Sequence, residues 1–404
     1  MNIDLNQFIK DRITFRQESF FAKDIQTHHK ELSHRIAGKR VLVIGGAGTI
    51  GSSYIRAILK FKPSRLYVVD TNENGLTELT RDLRSRAGQY VPQDYKPYPF
   101  NFGSDVFYKM MEKEGPFDII ANFAAHKHVR SEKDKYSVEA MIENNVFKAN
   151  DFLSYLNKGH KPEFFFCVST DKAANPVNVM GASKKLMEDV IMSYSKDLQI
   201  STARFANVAF SNGSLLDGYI QRLMKKQPFS CPSDVKRFFV SPEESGQICM
   251  LACMLGETAD VFFPKLTEDQ MVNFKDITLD FFSAMGLEPI LCTSENEARE
   301  RALALTANAK SYPVYFFPTE TSGEKLYEEF YTSTDELDMV KYASLGVIKN
   351  AKKESIEMIN SRIDQLKNLL ARDVYEKGDI VDLLTQYIPD FEHIETGKSL
   401  DQKM

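Results

Sequence analysis

The chain has 404 residues, of which 43% are hydrophobic and 26% are charged, and its net charge is −5 at pH 7. This length and composition allow a sizeable buried core and two or three domains, and they exclude a low-complexity or disordered chain. The negative charge gives no overall attraction to nucleic acid or to an anionic membrane, so an anionic ligand would need a local basic patch. We therefore expect no nucleic-acid partner.

Cysteine usage and hydropathy indicate a reducing, aqueous compartment. Only Cys249 and Cys253 are close in sequence, and no Cys/His cluster accompanies them, so neither a metal site nor a disulfide framework is predicted. No apolar run approaches the ~18 residues that span a bilayer, and the N-terminus lacks the pattern of a signal peptide. The sequence therefore predicts a cytoplasmic protein without membrane insertion.

The first 38 residues mix apolar and charged side chains at spacings compatible with one or two amphipathic helices. We interpret residues 1–38 as a helical arm that packs on the main domain or on a partner subunit. Closure of a substrate site and regulation are the alternatives.

A short apolar run, Arg40–Ile44, leads into a glycine-rich turn at residues 45–51, and residues 49–60 then show the periodicity of a helix. Glycines lack Cβ and let the backbone approach a pyrophosphate, whose charge is met by amides at the helix N-terminus. The order of strand, turn and helix therefore predicts a dinucleotide site. The predicted contacts are Gly45, Gly48, Thr49, Ile50 and Gly51.

The next apolar run, residues 65–70, ends on Asp70, about 20 residues after Gly51. A carboxylate there accepts hydrogen bonds from the adenosine ribose hydroxyls and repels a 2′-phosphate, which favours NAD over NADP. The alternative is that Asp70 only caps the following turn.

Residues 117–125 indicate a buried strand that ends on the small residues Ala124 and Ala125. Small side chains are needed where a dinucleotide lies across the strand ends, so both are predicted cofactor contacts. The basic cluster at residues 126–130, which includes Lys127, is either a solvated loop or a phosphate or substrate contact. Alternation of strand and helix from residue 40 to 210, with almost continuous apolar strands, predicts a doubly wound parallel sheet covered on both faces.

Another predicted strand, residues 163–169, is followed by Thr170, Asp171 and Lys172. At a strand end these residues present a hydroxyl, a carboxyl and an amine to the cofactor crevice, which are the groups that proton transfer needs. Lys184 falls in the first turn of the next predicted helix, where it can bond the nicotinamide ribose and lower the pKa of its neighbours. The alternative is an exposed Asp171–Lys172 ion pair in a loop.

The wider string from Ser169 to Lys184 closely resembles the signature of the CapD-like nucleotide-sugar 4,6-dehydratases, which belong to the extended short-chain dehydrogenase/reductase superfamily. The resemblance runs from about residue 38 to about residue 395. Further stretches that are similar to this family lie at residues 45–51, 124–129, 204–208, 237–239 with 242–243, and 322–329.

The resemblance implies a UDP-N-acetylglucosamine (UDP-GlcNAc) 4,6-dehydratase with tightly bound NAD. Such an enzyme moves hydride from C4 to NAD, removes the acidified C5 proton, expels the C6 hydroxyl as water and returns hydride to C6. By resemblance Asp171 is the acid at the C6 oxygen, Lys172 is the C5 base, and Thr170 bonds the 4-hydroxyl. A lysine acts as a base only if its pKa falls well below about 10.4, through burial or through neighbouring cations such as Lys184.

Several positions depart from the family pattern. Met180 stands where the superfamily usually has a tyrosine base, and methionine is also seen there in a membrane-anchored branch that retains the C5 configuration, so it favours retention. The first proton acceptor is therefore open between Asp171 and a water relayed through Thr170. Asn101, a predicted cofactor contact, replaces an aspartate near the adenine, while Arg130 and Thr321 replace a proline and an arginine.

By the same resemblance, Asn207, Ser214 and Arg237 match substrate contacts, with Arg237 supplying charge for the diphosphate, and Lys127 is a further candidate. Each of the first three has a structural alternative. Asn207 can be a turn residue, Ser214 a helix cap and Arg237 a member of a surface ion pair.

These observations predict an α/β protein with an N-terminal helical arm (1–38), a Rossmann domain (39–210), a smaller mixed C-terminal substrate lobe (211–395) with elements that return to the Rossmann domain, and a tail (396–404). The predicted reaction converts UDP-GlcNAc to UDP-2-acetamido-2,6-dideoxy-hexos-4-ulose for surface-glycan or modified-sugar synthesis, in a homo-oligomer. The alternatives are a UDP-HexNAc 4- or 5-epimerase, which needs the ketone but no elimination, and a non-catalytic NAD-binding regulatory protein.

Overall fold

The computed structural model describes residues 3–306, 308–319, 323, 325 and 327–396. Its strands are β1 (Arg40–Ile44), β2 (Arg65–Val69), β3 (Asp94–Tyr98), β4 (Ile119–Asn122), β5 (Phe164–Val168), β6 (Ile200–Ala203), β7 (Asn207–Val208), β8 (Phe229–Pro232), β9 (Lys236–Arg237), β10 (Phe239–Val240), β11 (Asp260–Pro264), β12 (Val272–Asn273), β13 (Glu288–Cys292), β14 (Ser311–Phe317), β15 (Leu337–Asp338) and β16 (Leu345–Ile348). Its α-helices are α1 (Leu5–Phe8), α2 (Ala22–Thr27), α3 (His29–Ile36), α4 (Thr49–Leu59), α5 (Glu73–Ser85), α6 (Asp105–Glu114), α7 (Lys135–Ile142), α8 (Lys148–Asn157), α9 (Val179–Ser193), α10 (Leu215–Lys225), α11 (Pro242–Leu255), α12 (Phe274–Ala284), α13 (Glu295–Leu303), α14 (Ile356–Leu370) and α15 (Lys377–Tyr387).

The main sheet has the strand order β15-β16-β11-β6-β5-β4-β1-β2-β3. From β11 to β3 all neighbouring strands are parallel, whereas β16 and β15 run antiparallel and close one edge. Successive residues of β1, β4 and β5 are buried, so both faces of the sheet are covered. The predicted Rossmann-type parallel sheet is confirmed, and its strand order reverses between β1 and β4, where a crevice opens at the carboxyl ends.

Strand β3 carries Pro97 and gives no strand signal in the sequence. It lies at the edge of the sheet beside β2, where the missing N–H of a proline leaves no ladder hydrogen bond unmade. The opposite edge is built from β11 and the β15–β16 pair, so elements beyond residue 211 complete the sheet.

Two segments with a helical sequence pattern, residues 138–156 and 294–311, do not form single continuous helices in the structure. Residues 138–156 do not form one helix, because a π-helical turn at Glu143–Phe147 separates α7 from α8. Residues 294–311 have helical propensity, but α13 ends at Leu303 and the aromatic segment Ser311–Phe317 pairs between β13 and β8 as β14.

The C-terminal lobe has a parallel sheet of its own, β13-β14-β8, which packs against α10 and α12. Its core is rich in aromatic rings, and Tyr219 and Phe229 stack with their centroids 4.6 Å apart. Phe8 and Ile13 of the N-terminal arm belong to this core. The lobe is therefore closed in part by the first residues of the chain.

The arm then crosses to the core of the main sheet, to which it contributes Phe21 and Leu32. Arg16 donates to both carboxylate oxygens of Glu244 on α11, at 2.9 and 2.8 Å. The buried carboxylate of Asp24 accepts from the two backbone amides that precede β16, at 2.7 and 2.8 Å. Through these contacts the arm joins the two cores of the molecule.

Helix α9, which follows the Thr170–Lys172 segment, is buried along nearly its whole length. Helices α7 and α8 contact it, and α14 and α15 from the C-terminal part also pack on it. Within the parts of the chain that are described, no helix combines the length and the apolar character that crossing a bilayer requires. Of the predicted tail, only residue 396 lies inside the described residues.

Candidate functional site

The glycine turn connects β1 to α4 and packs against the backbone that follows β4. Gly45 has φ +74°, and a Cβ there would lie 2.5 Å from the backbone N of Ala124. A Cβ at Gly51 would lie 2.4 Å from the carbonyl oxygen of Gly45. Only glycine fits these two positions, and Ala124 and Ala125 consequently lie half-buried against the turn.

The N-terminus of α4 faces the crevice without a side-chain cap. Gly48 is its N-cap, and no side chain bonds the amides of the first turn, to which Thr49, Ile50 and Gly51 belong. Uncapped amides and glycines that leave no side chain in the way are what a pyrophosphate requires. The turn therefore fits a dinucleotide.

Asp70 follows β2 directly and its carboxylate faces the glycine turn. One oxygen accepts from the amide of Ala47 at 2.9 Å and the other accepts from the amide of Asn72 at 2.9 Å. The carboxylate thus caps the following turn as well as the glycine turn. Because two carboxylate oxygens offer about four acceptor positions, it keeps capacity for ribose hydroxyls. Asn101 lies exposed in the loop after β3, and its carbonyl oxygen accepts from the Ser104 amide at 3.3 Å.

Thr170, Asp171 and Lys172 are brought together at the carboxyl end of β5. Oδ1 of Asp171 accepts from the Thr170 hydroxyl at 2.8 Å, from the Lys172 amide at 2.9 Å and from the Lys172 Nζ at 3.1 Å. The side chains of Asp171 and Lys172 are only 4% and 18% exposed. Their pairing is therefore not that of a solvated ion pair in a loop.

A second carboxylate, that of Glu328, lies near Lys172. Its Oε1 lies 3.5 Å from the Lys172 Nζ and 3.8 Å from Nη2 of Arg237, and Glu328 is 6% exposed. Arg237 also donates to the carbonyl oxygen of Lys325 at 2.8 Å. Arg237 is thus a member of a buried ion pair beside the catalytic candidates, whereas the sequence alternative was a surface pair.

Sequence reasoning assigned no role to Glu328, although the residue lies in the stretch 322–329 that resembles the family. Nothing in the spacing of the chain places residue 328 beside residue 172. The signal that was available is the pair of carboxylates at residues 328 and 329 in that stretch. Thr321, the departure noted nearby, lies outside the described residues.

The charge environment of Lys172 opposes the role of a base. Burial lowers its pKa, but the carboxylates of Asp171 and Glu328 together outweigh burial and hold the pKa above its ordinary value. The neighbouring cation that lowers it is Arg237, not Lys184 as the sequence suggested. The requirement of a depressed lysine pKa is therefore not met while both carboxylates are charged.

Lys184 lies in the second turn of α9, one turn further than predicted, because the helix begins at Val179. It is buried, and its Nζ donates to the carbonyl oxygen of Val168, the last residue of β5, at 2.7 Å. Burial lowers the pKa of Lys184. The amine consequently ties α9 to the end of β5, two residues before Thr170.

Asn145 is a polar residue at the site that sequence reasoning did not single out. Its side chain bonds the amide and the carbonyl oxygen of His126 at 2.9 and 3.0 Å, and its Nδ2 donates to the Ser183 hydroxyl at 3.0 Å. Ser183 in turn donates to the carbonyl oxygen of Met180 at 2.8 Å. The π-helical turn that carries Asn145 therefore fixes the loop after β4 to the first turns of α9.

The predicted substrate contacts lie on a neighbouring loop and strand. The Asn207 amide bonds the carbonyl oxygen of Phe238 at 3.1 Å as β7 pairs with β10. Ser214 is the N-cap of α10 and its hydroxyl accepts from the Asp217 amide at 3.2 Å, which agrees with the structural alternative of a helix cap.

The loop before α10 connects the substrate side with the cofactor turn. The amide of Asn212 donates to the Thr49 hydroxyl at 2.9 Å, and the Nζ of Lys127 donates to the carbonyl oxygen of Asn212 at 3.3 Å. The backbone of Asn212, in the loop before α10, therefore contacts both Thr49 at the start of α4 and Lys127.

Comparison with known proteins places the chain in a family. The model of a family described as polysaccharide biosynthesis protein matches residues 41–350, which is more than half of the chain. The chain belongs to this family. The family that the string at residues 169–184 indicated is thereby confirmed.

Three curated members and relatives of this polysaccharide biosynthesis family illustrate the match. An uncharacterized membrane protein of Methanocaldococcus jannaschii is 29% identical over 62% of this chain and 74% of its own length. The capsular polysaccharide biosynthesis protein CapD of Staphylococcus aureus is 25% identical over 82% of this chain but 54% of its own length, so the chain spans about half of that relative. A UDP-N-acetylglucosamine 4,6-dehydratase (inverting) of Campylobacter jejuni is 24% identical over 58% of this chain and 70% of its own length.

Solved structures share the fold at low identity. Pen from Bacillus thuringiensis matches with a TM-score of 0.62 and 20% identity, covering 82% of this chain and 98% of that one. UDP-glucuronic acid 4-epimerase of Bacillus cereus, in complex with UDP-glucuronic acid and NAD, matches with a TM-score of 0.53 and 17% identity, covering 82% and 99%. The family member described here therefore has a fold on which NAD and a UDP-sugar are bound in another protein.

Proposed function

We propose that the protein is an NAD-dependent nucleotide-sugar 4,6-dehydratase that acts on a UDP-HexNAc, most simply UDP-GlcNAc, and retains the configuration at C5. The observation that carries the proposal is the buried contact of Thr170, Asp171 and Lys172 on one oxygen atom at the end of β5. Elimination of water needs an acid at one carbon and a base at the next, and Asp171 and Lys172 are the candidates for these roles, provided that Lys172 first loses a proton. A 4-epimerase needs no such pair.

The matched family and one named relative support the proposed class of reaction. The family is one of polysaccharide biosynthesis proteins, and a matched relative from Campylobacter jejuni carries the name of a UDP-N-acetylglucosamine 4,6-dehydratase. Because that relative is called inverting, the C5 outcome of the present chain is a separate part of the proposal and rests on Met180.

When bound, NAD supplies a reversible hydride acceptor; Gly45, the first-turn amides of α4 and Asp70 would hold it. Thr170 binds the 4-hydroxyl and passes its proton to Asp171, because its own hydroxyl already donates to that carboxylate at 2.8 Å. Asp171 then delivers this proton to the C6 oxygen, which leaves as water. Lys172 accepts the C5 proton into its ammonium group and returns one of that group's three equivalent protons, which exchange with solvent, to the same face of C5.

The test is incubation of the purified protein and NAD with UDP-GlcNAc in heavy water, followed by mass spectrometry and NMR of the product. Loss of one water with deuterium at C5 is the expected result. A sugar that loses no water but has altered C4 or C5 stereochemistry would identify an epimerase. Bound NAD without turnover across a panel of UDP- and GDP-sugars would identify a non-catalytic NAD-binding protein.

A further inference from the structure

Glu328 is a buried carboxylate within reach of the amine that the proposed reaction uses as a base. The backbone on both sides of it is fixed by buried arginines. Arg237 donates to the carbonyl oxygen of Lys325 at 2.8 Å, and Arg204 donates to the carbonyl oxygen of Phe330 at 3.0 Å. Glu328 therefore lies between two backbone positions, Lys325 and Phe330, that accept hydrogen bonds from buried arginines.

In the proposed reaction Lys172 begins with one proton too many to act as a base. Between two carboxylates this amine begins as an ammonium, and an ammonium cannot accept the C5 proton. Asp171 cannot relieve it, because Asp171 takes the proton of the 4-hydroxyl and must carry that proton to the C6 oxygen. A third group has to accept a proton from Lys172.

We propose that Glu328 is this acceptor and that it acts as a positioning residue which converts Lys172 from an ammonium into the C5 base. The inference rests on the proposed function. Oε1 of Glu328, 3.5 Å from the Lys172 Nζ, stands close enough for a contact that tightens when substrate is bound.

The steps balance in protons. The 4-hydroxyl proton moves through Thr170 to Asp171, and the ammonium proton of Lys172 moves to Glu328. The neutral amine of Lys172 breaks the C5–H bond while Asp171 protonates the C6 oxygen, so the C6–O bond breaks and water leaves. After hydride reaches C6, Lys172 returns its proton to C5 and recovers its first proton from Glu328.

Arg237 links this transfer to substrate binding. In the free protein its guanidinium lies 3.8 Å from the same oxygen of Glu328 that faces Lys172. The proposed diphosphate contact of Arg237 draws that positive charge away from Glu328. Among the described residues, the cations within 4.0 Å of the Glu328 carboxylate are Lys172 and Arg237.

The experiment is the pH dependence of dehydration in Glu328→Gln, with deuterium uptake at C5 as a second readout. The variant keeps the size of the side chain but cannot accept a proton. We expect kcat at pH 7 to fall by about 10- to 100-fold with KM changed less than about threefold. Since Lys172 must then release its proton to water, the remaining rate should rise by up to about tenfold per pH unit below the lysine pKa, and C5 deuterium uptake should rise with it.

Two further variants keep the test decisive. Glu328→Asp restores a carboxylate and should regain much of kcat together with the wild-type pH profile. Glu329→Gln changes the adjacent glutamate, which instead bonds Asn175 at 2.8 Å, and should leave kcat and the pH profile unchanged. Calorimetric binding of UDP-GlcNAc confirms that each variant is folded.

The outcomes separate the two proposals. If the wild type dehydrates UDP-GlcNAc and Glu328→Gln keeps its rate or its pH profile, the role of Glu328 is refuted and the proposed function stands. A Gln variant that loses affinity or stability with an unshifted pH profile also refutes it. That result would show that Glu328 only holds the structure of the site and does not accept a proton from Lys172. If the wild type releases no water from any nucleotide sugar, the proposed function itself fails.

Discussion

Replacing Asp171 by asparagine separates the loss of proton transfer from the loss of hydrogen bonds. The amide oxygen can still accept the bonds from the Thr170 hydroxyl, the Lys172 amide and the Lys172 Nζ, now at 2.8, 2.9 and 3.1 Å. The side chain can no longer carry a proton from the 4-hydroxyl to the C6 oxygen. General acid–base groups contribute about 10²- to 10⁴-fold, so we expect kcat to fall by that factor, or about 2.7–5.4 kcal/mol of activation free energy.

The same change has a smaller effect on stability. Removing one member of a buried ion pair costs about 3–5 kcal/mol when the other charge is left alone. Lys172 keeps Glu328 at 3.5 Å, so only part of this cost applies. We expect the free energy of unfolding to fall by about 1–3 kcal/mol, measured by urea titration.

A matched pair in the same protein supplies the control. Asp189 accepts from Lys185 at 2.9 Å, and their side chains are 6% and 25% exposed, close to the values for Asp171 and Lys172. Asp189→Asn should keep kcat, as measured by mass spectrometry of UDP-GlcNAc turnover, and should cost less stability than Asp171→Asn, because burial raises the pKa of Asp189. An Asp171→Asn variant whose kcat stays within threefold of the wild type would refute the assignment of proton transfer to Asp171.

Two further predictions concern the cofactor turn and the contact of Glu132 with Lys377 and His393. Gly45→Ala should weaken NAD binding more than tenfold, because the left-handed φ costs about 1–2 kcal/mol and the new Cβ meets backbone at 2.5 Å. Gly38→Ala has the same φ of +74° but open space around the Cβ, so it should lose stability without losing NAD affinity by calorimetry. Burial raises the pKa of Glu132, but bonds from His393 and Lys377 outweigh burial and lower it. A lowered folded-state pKa stabilises the protein above the unfolded value of about 4.3, and this stability is lost as the pH falls through the folded value. The Tm difference between the wild type and Glu132→Gln should therefore be largest near pH 7 and shrink below pH 4; an unchanged difference would show that the charge of Glu132 contributes no stability.

The sequence alone determined the parts of the protein that local patterns encode. The apolar run Arg40–Ile44 followed by Gly45 gives the first strand and the turn, because strand propensity and a left-handed φ are properties of single residues and their neighbours. Thr170, Asp171 and Lys172 are adjacent in the chain, so a strand end suffices to bring them together. The string that contains them also indicated the family.

Only the tertiary structure decided which distant groups share the site. Glu328 meets Lys172 from 156 positions further along the chain, as Arg237 meets Glu328, and no periodicity reports such contacts. Asn145, on the π-helical turn between α7 and α8, bonds His126 in the loop after β4, and no local sequence pattern indicates that contact. The pKa of Lys172 follows from these neighbours, since Coulomb interactions depend on distance in space and on burial, not on separation in sequence. For this reason the residue types of the Asp171–Lys172 pair were predictable, whereas the direction of the lysine pKa was not.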